Sequence, residues 1–247
     1  VSNVPVNGGI PDSVRFAFYT GGAIYFSAVM WTVLTSQEAP PADMQAFERN
    51  RQQAGSVSHA VKEIVAGLLS MPKLMRQLAV VQFFTWIALF AMWIYTTTAI
   101  ADHLFHVTDA GSQSFQDAAN RVGNMFAVYN GVSAIAAFLL PLLAKFIAKR
   151  LVHALCLMAG GLGLMSLYLI GAADFLWVPM VAVGLAWASI LTMPYAMLAS
   201  VLPADRMGYY MGVFNFFIVI PQILSGLLLG WVTRHWFAGQ TIKTLVL

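Results

Sequence analysis

Six apolar runs recur along the chain, and each is long enough to cross a lipid bilayer as a helix. A helix rises about 1.5 Å per residue, so about 20 apolar residues span the roughly 30 Å of hydrocarbon. The predicted spans are residues 14–35, 78–101, 121–143, 152–171, 176–202 and 208–232. Backbone groups in lipid must bond within their own segment, which favours helices. The sequence therefore predicts an all-α fold, a polytopic membrane helix bundle.

The composition argues against a soluble globular domain and against a nucleic-acid-binding protein. Only 9% of the 247 residues are charged and 60% are hydrophobic, whereas soluble domains average about 25% charged residues. The net charge of +3 is small and is spread over loops and helix ends. It forms no basic stripe of the kind that binds nucleic acid. Most of the protein surface is therefore expected to contact the lipid bilayer.

The distribution of Lys and Arg predicts how the spans are oriented. The connections between spans one and two, three and four, and five and six carry Arg49, Arg51, Lys62, Lys73, Arg76, Lys145, Lys149, Arg150 and Arg206. The alternate connections, roughly 102–120 and 172–175, carry aspartates and no Lys or Arg. The positive-inside rule places the first set of connections in the cytoplasm. The chain is therefore predicted to start and end on the outer side of the membrane. Arg15, Arg234 and Lys243 fall on the outer side and count mildly against this orientation.

Residues 36–77 are interpreted as a cytoplasmic linker. The stretch opens with "SQEAPP", whose Pro40 and Pro41 are expected to end the first span. Apolar residues at helical spacing then predict an amphipathic helix along the inner membrane face: Val57, Val61, Ile64, Val65 and Leu68. A flexible linker is the alternative interpretation.

The second span, within "MRQLAVVQFFTWIALFAMWIY", carries polar groups in the middle of its apolar run. Gln82, Trp86 and Trp93 follow helical spacing and lie on one side of the helix, and Thr85 adds a hydroxyl. An amide donates and accepts hydrogen bonds, and an indole offers a flat apolar face with one N–H donor. Such a pairing suits a sugar, provided that these groups face an aqueous pathway. The alternative is that Gln82 only bonds a neighbouring helix and the indoles only pack.

Polar residues in two other spans extend the candidate substrate-binding set. Asn215 and Gln222 lie seven residues apart on one face of the last span, next to Pro221. Arg121 and Asn124 open the third span at its outer end, and Asp117 lies one turn earlier, where it could pair with Arg121. A snorkelling interfacial arginine is the alternative for Arg121.

Other chemistries find little support in the sequence, and no enzyme activity, cofactor or metal site is expected. The chain has no G-x-x-x-x-G-K-[ST] phosphate loop. His103 and His106 are interpreted as solvated loop residues, and His153 as a ring at a membrane edge. The single cysteine, Cys156, is interpreted as a buried small hydrophobe. No Asp or Glu lies deep inside a predicted span, so a proton-coupling carboxylate would have to lie outside this chain.

Several blocks resemble the sucrose and maltose proton symporters of the glycoside–pentoside–hexuronide branch of the major facilitator superfamily. "MPKLMRQLAVVQFFTWIALFAMWIY" resembles their seventh transmembrane segment, and "NRVG" resembles the start of their eighth, with Arg121 at the matching arginine. "MGVFNFFIVIPQILSG" is similar to their eleventh segment, and "VLTSQEAPP" to the exit of their sixth. The stretch "YTTTAIADH" departs from the acidic stretch of the plant members, which favours a bacterial-type carrier.

The resemblance implies part of a twelve-helix carrier made of two six-helix halves. Residues 1–35 would be the sixth helix, 36–77 the linker between the halves, and 78–247 helices seven to eleven with the start of the twelfth. The chain lacks an initial Met and ends within an apolar segment, so a longer protein with its missing N-terminal half is expected.

The predicted function is secondary active transport of a disaccharide or related glycoside, with proton symport, in a bacterial inner membrane. The sugar would contact a substrate-binding set that comprises Gln82, Thr85, Trp86, Arg121, Asn124, Asn215 and Gln222. Two alternatives stay open. One is a carrier of the same fold for a drug, an amine or a carboxylate. The other is a membrane or channel subunit without coupled transport.

Overall fold

The computed structural model describes residues 12–37, 44–45, 48 and 57–246, and this part of the chain is helical without a β-strand. Its helices are α1 (Asp12–Thr35), α2 (Val57–Leu69), α3 (Lys73–Phe105), α4 (Gln113–Leu143), α5 (Lys149–Ser166), α6 (Trp177–Leu198), α7 (Met207–His235) and α8 (Thr241–Leu245). The all-α prediction is confirmed. Pro40 and Pro41, which were expected to end the first span, lie outside the described residues.

Six of the described helices are long and apolar enough to cross a membrane, in agreement with the six predicted spans. The helices α3, α4 and α7 extend beyond their predicted spans, whereas α6 ends four residues before the predicted end. α3 begins directly after Pro72 and ends at Phe105, and the residue that follows, His106, has a left-handed φ of 52°. His103 therefore lies in the last turn of α3 rather than in a loop. α4 begins at Gln113, so Arg121 lies two turns inside the helix.

The chain divides into two units, Val1–Ala60 and Val61–Leu247. The division falls inside the predicted linker, 36–77. The predicted domain boundaries at residues 35 and 77 stay predictions. Within the first unit, α1 is a 24-residue apolar helix.

A helix, α2, runs over the stretch where the sequence predicts an amphipathic one. Its second half is held against α7, because the Tyr209 hydroxyl donates a hydrogen bond to the Glu63 carbonyl. A side chain on Gly67 would collide with the Tyr209 ring, since a Cβ there would lie 2.9 Å from Cζ. The missing side chain of Gly67 is what lets Tyr209 reach the backbone of α2.

The second unit is a helix bundle in which α6 packs against α4 and α5, and α3 packs against α4, α7 and α8. Its apolar core forms two clusters. The Met92 cluster gathers buried residues from the second half of α3, the first half of α4 and the first two thirds of α6. The Phe214 cluster gathers buried residues from the first turns of α3, α5 and α7 with the ends of α4 and α6. Gln82, discussed below, lies on α3 between residues of the two clusters.

Glycines set how closely α6 approaches its neighbours. A Cβ on Gly163 of α5 would lie 2.8 Å from the Pro179 carbonyl oxygen, and one on Gly184 of α6 would lie 2.6 Å from the Tyr129 carbonyl oxygen. Both positions require glycine because the clashing atoms are backbone. At Gly226 and Gly230, which the sequence suggests as a close-packing pair, a Cβ would have only ordinary contacts of 3.7 Å. Glycine is therefore required where α6 meets α4 and α5, but not at Gly226 and Gly230 of α7.

Candidate solute-binding site

Gln82 is fully buried, with 0% of its surface exposed. One turn earlier on α3, Ala79 belongs to the Phe214 cluster, and two turns later Leu89 belongs to the Met92 cluster. The side-chain oxygen and nitrogen of Gln82 both lack a hydrogen-bond partner within the described residues. Buried amides almost always have partners, because an unpaired polar group costs free energy. This amide therefore has unused hydrogen-bonding capacity within the described part of the chain.

Three indoles meet next to Gln82, and we call Trp86, Trp93 and Trp187 the tryptophan cluster. The ring centroids of Trp86 lie 6.0 Å from Trp93 and 5.9 Å from Trp187. The Trp93 and Trp187 centroids lie 5.5 Å apart at 89°. These are the edge-to-face arrangements that aromatic quadrupoles favour. Trp187 comes from α6, so the cluster joins two helices.

The N–H groups of the tryptophan cluster differ in their partners. Trp93 Nε1 donates to the Tyr129 hydroxyl on α4 at 3.2 Å, which fixes that ring. Trp86 Nε1 is buried and has no partner in the described part of the chain. All three indoles are only partly buried, so each retains surface that a solute can contact. Trp86 and Gln82, one turn apart, thus offer an indole N–H donor and an amide that are both unpaired.

Thr85 has a different role from its neighbour Trp86. Its hydroxyl donates to the Val81 carbonyl of the preceding turn at 2.7 Å, as hydroxyls in membrane helices commonly do. Its side chain lines an apolar cavity of about 150 Å³ between α3, α5 and α6, with Gly160 and Val183 among the other lining residues. The sequence grouped Thr85 with the substrate-binding residues; in the structure its hydroxyl is bonded within its own helix, and neither Gln82 nor Trp86 lines this cavity.

Arg121 and Asn124 line a polar cleft of about 530 Å³ near the start of α4. Both are exposed. The Arg121 guanidinium lies 3.4 Å from the carboxylate of Asp174, in the connection that precedes α6. The sequence suggested Asp117 as its partner, but Asp117 instead accepts a hydrogen bond from Gln113 at 3.2 Å. The ion pair therefore joins α4 to the segment before α6 rather than two turns of one helix.

Asn215 and Gln222 lie on α7, a helix that contributes no ring to the tryptophan cluster. Asn215 is exposed and makes no hydrogen bond to the described residues. Gln222 is partly buried, and its amide nitrogen donates to the Ile218 carbonyl of its own helix at 3.0 Å. No hydrogen bond or ring contact within the described residues joins this pair to Gln82 or Trp86.

The predicted residues therefore form three groups. Gln82 and Trp86 lie together with two further indoles; Arg121 and Asn124 share the polar cleft; Asn215 and Gln222 share a face of α7. Whether these groups face one aqueous pathway stays a prediction.

Sequence reasoning missed Trp187 and Tyr129, which complete the aromatic site from α6 and α4. Their positions along α4 and α6 are those of ordinary core residues, so nothing in the neighbouring sequence marks them as site residues. The burial of His153 was also missed: it lies one turn from the start of α5, and only 4% of its surface is exposed. A signal existed in that case, because His153, Cys156, Gly160 and Gly163 recur on one face of α5.

Comparison with known sequences supplies the family. No curated protein and no solved structure matches the chain. A sequence model of the Major Facilitator Superfamily matches residues 6–226, from before α1 to within α7. The match spans most of the chain and includes every helix that carries the candidate site. The chain therefore belongs to the Major Facilitator Superfamily and is a membrane transporter of that type.

Proposed function

We propose that this chain is the C-terminal part of a secondary active transporter that moves a disaccharide or related glycoside together with protons across a bacterial inner membrane. The observation that carries the proposal is the tryptophan cluster beside the unpaired amide of Gln82. The resemblance of the α3 and α7 blocks to sucrose and maltose symporters supports the same substrate class.

The chemistry of a glycoside fits these groups. A sugar ring has apolar C–H faces that stack on aromatic surface, and its hydroxyls need both donors and acceptors. Trp86 would supply an indole face and a free N–H donor, and the Gln82 amide would supply a donor and an acceptor. Neither group would have to give up a protein hydrogen bond, since both are unpaired within the described residues.

The other predicted residues would act at different stages of binding. Arg121 and Asn124 line a cleft that is predicted to open to the outside, where they would meet the solute first. Asn215 and Gln222 would contribute from α7. In this fold, solutes bind near the midplane and access alternates by movement of the halves.

Transport by the purified full-length protein tests this proposal. Proteoliposomes loaded with unlabelled maltose or sucrose are expected to accumulate the labelled sugar by counterflow, which requires a carrier and not a channel. Trp86→Ala is expected to abolish counterflow, because it removes both the indole face and the free N–H.

Trp231→Ala is the matched control, since Trp231 stacks on His235 at the end of α7 and belongs to no candidate group. Counterflow at the wild-type rate in Trp86→Ala, at equal protein per vesicle, would refute the assignment of Trp86.

The tryptophan cluster also favours a second candidate, an organic cation, because electron-rich ring faces attract cations. Competition experiments with unlabelled sugars and amines distinguish a glycoside carrier from an organic-cation carrier. Inhibition of labelled-sugar counterflow by unlabelled maltose, but not by quaternary amines, supports the glycoside. Counterflow of a labelled amine without counterflow of sugar would make an organic cation, and not a glycoside, the proposed solute. Absence of counterflow for every solute tested would favour a subunit without coupled transport.

A further inference from the structure

The interface between α5 and α6 contains a buried histidine. His153 Nδ1 lies 2.8 Å from the Ser189 hydroxyl oxygen, and both residues are buried. The two helices are held close by Gly160 and Gly163 further along the same face of α5. His153 thus lies at the end of a tight interface, one turn from the start of α5 at Lys149.

One ring nitrogen of His153 has no partner. Nε2 is buried and lacks a hydrogen-bond partner within the described residues. If the ring is the Nδ1–H tautomer, Nδ1–H donates to the Ser189 oxygen. The Nε2 lone pair then has no partner.

His153 is distinctive among the buried polar side chains. The others that the structure describes are a glutamine, serines and threonines: Gln82, Thr96, Ser133, Ser189, Ser225, Thr233 and Thr244. None of these takes up a proton near neutral pH, whereas an imidazole does. An ionisable group inside a membrane bundle indicates a functional site by default.

Neither α5 nor α6 carries an acidic side chain that could serve as a counter-charge for a protonated ring. α6, which packs along α5, carries no Asp, Glu, Lys or Arg, and its Tyr195 packs on Phe214. The titratable groups of α5 besides His153 are Lys149, Arg150 and Cys156, and the Lys149 amine donates to the Ala196 carbonyl at the exposed end. The 3-10 turn after α5 adds Tyr168, which stacks on His103.

We propose that His153 is a proton-binding group of the transport cycle. The inference rests on the proposed proton-coupled function and names a residue for it. A proton adds to the free Nε2 lone pair and converts the neutral ring to imidazolium, while Nδ1–H keeps its bond to Ser189. An imidazolium buried without a counter-charge is penalised, so the closed α5–α6 interface holds the neutral ring. The protonated ring belongs to a conformation in which water or an acidic group reaches Nε2.

The first experiment separates proton coupling from solute exchange in the full-length protein. His153→Gln keeps an amide that can bond Ser189 but cannot be protonated. In proteoliposomes, this variant is expected to retain labelled-sugar counterflow and to lose sugar-driven proton uptake, read with a pH dye. His235→Gln, at an exposed histidine on α7, is the matched control and is expected to retain both. Wild-type proton uptake per sugar in His153→Gln would overturn the proposal.

A second measurement does not depend on sugar transport. The ¹⁵N spectrum of histidine-labelled protein in liposomes gives the His153 signal by difference from His153→Gln. The signal is expected to change from the neutral to the protonated form as the pH is lowered. A His153 ring that stays neutral throughout would overturn the proposal. If the ring titrates but wild type transports neither maltose nor sucrose, the glycoside assignment fails and the proton site stands.

Discussion

Gln82 is the residue whose environment deviates most from ordinary core packing. Its amide is fully buried between two apolar clusters and has no partner among the described residues. Leaving a buried polar group unpaired costs about 1–3 kcal/mol. Functional sites are where such costs persist, because the missing partner is a water or a solute rather than a protein group.

Replacement of this amide separates stability from activity. Gln82→Leu has similar size and no polar atoms, so we expect an unchanged or raised melting temperature together with loss of sugar counterflow. Thermal denaturation in detergent and counterflow in proteoliposomes measure the two effects.

Thr85→Val is the control for Gln82→Leu, since the Thr85 hydroxyl bonds only its own helix, and it is expected to keep both properties. A large fall in the melting temperature of Gln82→Leu would show that the amide is a structural group.

The spacing of residues along α3 was enough to place Gln82 and Trp86 on one side of that helix. It could not name Trp187 or Tyr129, which reach the same site from α6 and α4. A period of 3.6 residues tells which side chains share a face, but the helix that this face meets is decided by tertiary packing. For the same reason, the partner of Arg121 was misassigned: Asp117 is near in sequence, whereas Asp174 is near in space.

At the scale of elements, the glycines of α5 divide into two kinds. A Cβ on Gly163 would lie 2.8 Å from the Pro179 carbonyl oxygen, whereas Gly161 has nothing within 4 Å of a Cβ. The two positions lie in the same helix, two residues apart, so they differ mainly in what surrounds them.

Alanine substitutions at these two glycines are expected to have opposite effects. Gly163→Ala forces α5 and α6 apart, and overpacking of this kind costs about 1–3 kcal/mol. Gly161→Ala is expected to be neutral or to stabilise by up to about 1 kcal/mol, since alanine favours the helix. The melting temperatures of the two variants check this. Equal destabilisation in both would show that the close approach of α5 to α6 is absent.

The helix ends were harder to predict than the helices. Hydropathy identifies the part of a helix that contacts lipid, but it does not identify the helical turns that continue into water. The eight residues of α4 before Arg121 are of this kind. A local signal does mark the start, because the Ser112 hydroxyl accepts a hydrogen bond from the Phe115 N–H at 3.3 Å and caps the helix.

At the scale of the whole molecule, the predicted orientation rests on the Lys and Arg of alternate connections. It places the segment between α3 and α4 outside and the segment between α2 and α3 inside. The native Cys156 is buried and so contributes little labelling of its own.

Single exposed cysteines test the orientation. Ser114→Cys, at the outer start of α4, is expected to react with a membrane-impermeant maleimide in intact cells. Ser70→Cys, after α2, is expected to react only after the cells are opened. Both positions are exposed, so access to reagent alone distinguishes them. The reverse pattern would invert the predicted topology and with it the assignment of the Arg121 cleft to the outer side.

The long and short helices of this bundle will respond differently to the lipid around them. With 33 residues, α3 measures about 50 Å, whereas the 18 residues of α5 measure about 27 Å, close to the hydrocarbon thickness. A long helix adapts to a thicker bilayer by tilting less. A helix that is no longer than the hydrocarbon layer cannot adapt in this way. Acyl chain length is therefore expected to act first on α5, and so on the interface where His153 meets Ser189. Lipid composition would in that way change the proposed proton binding without a soluble ligand.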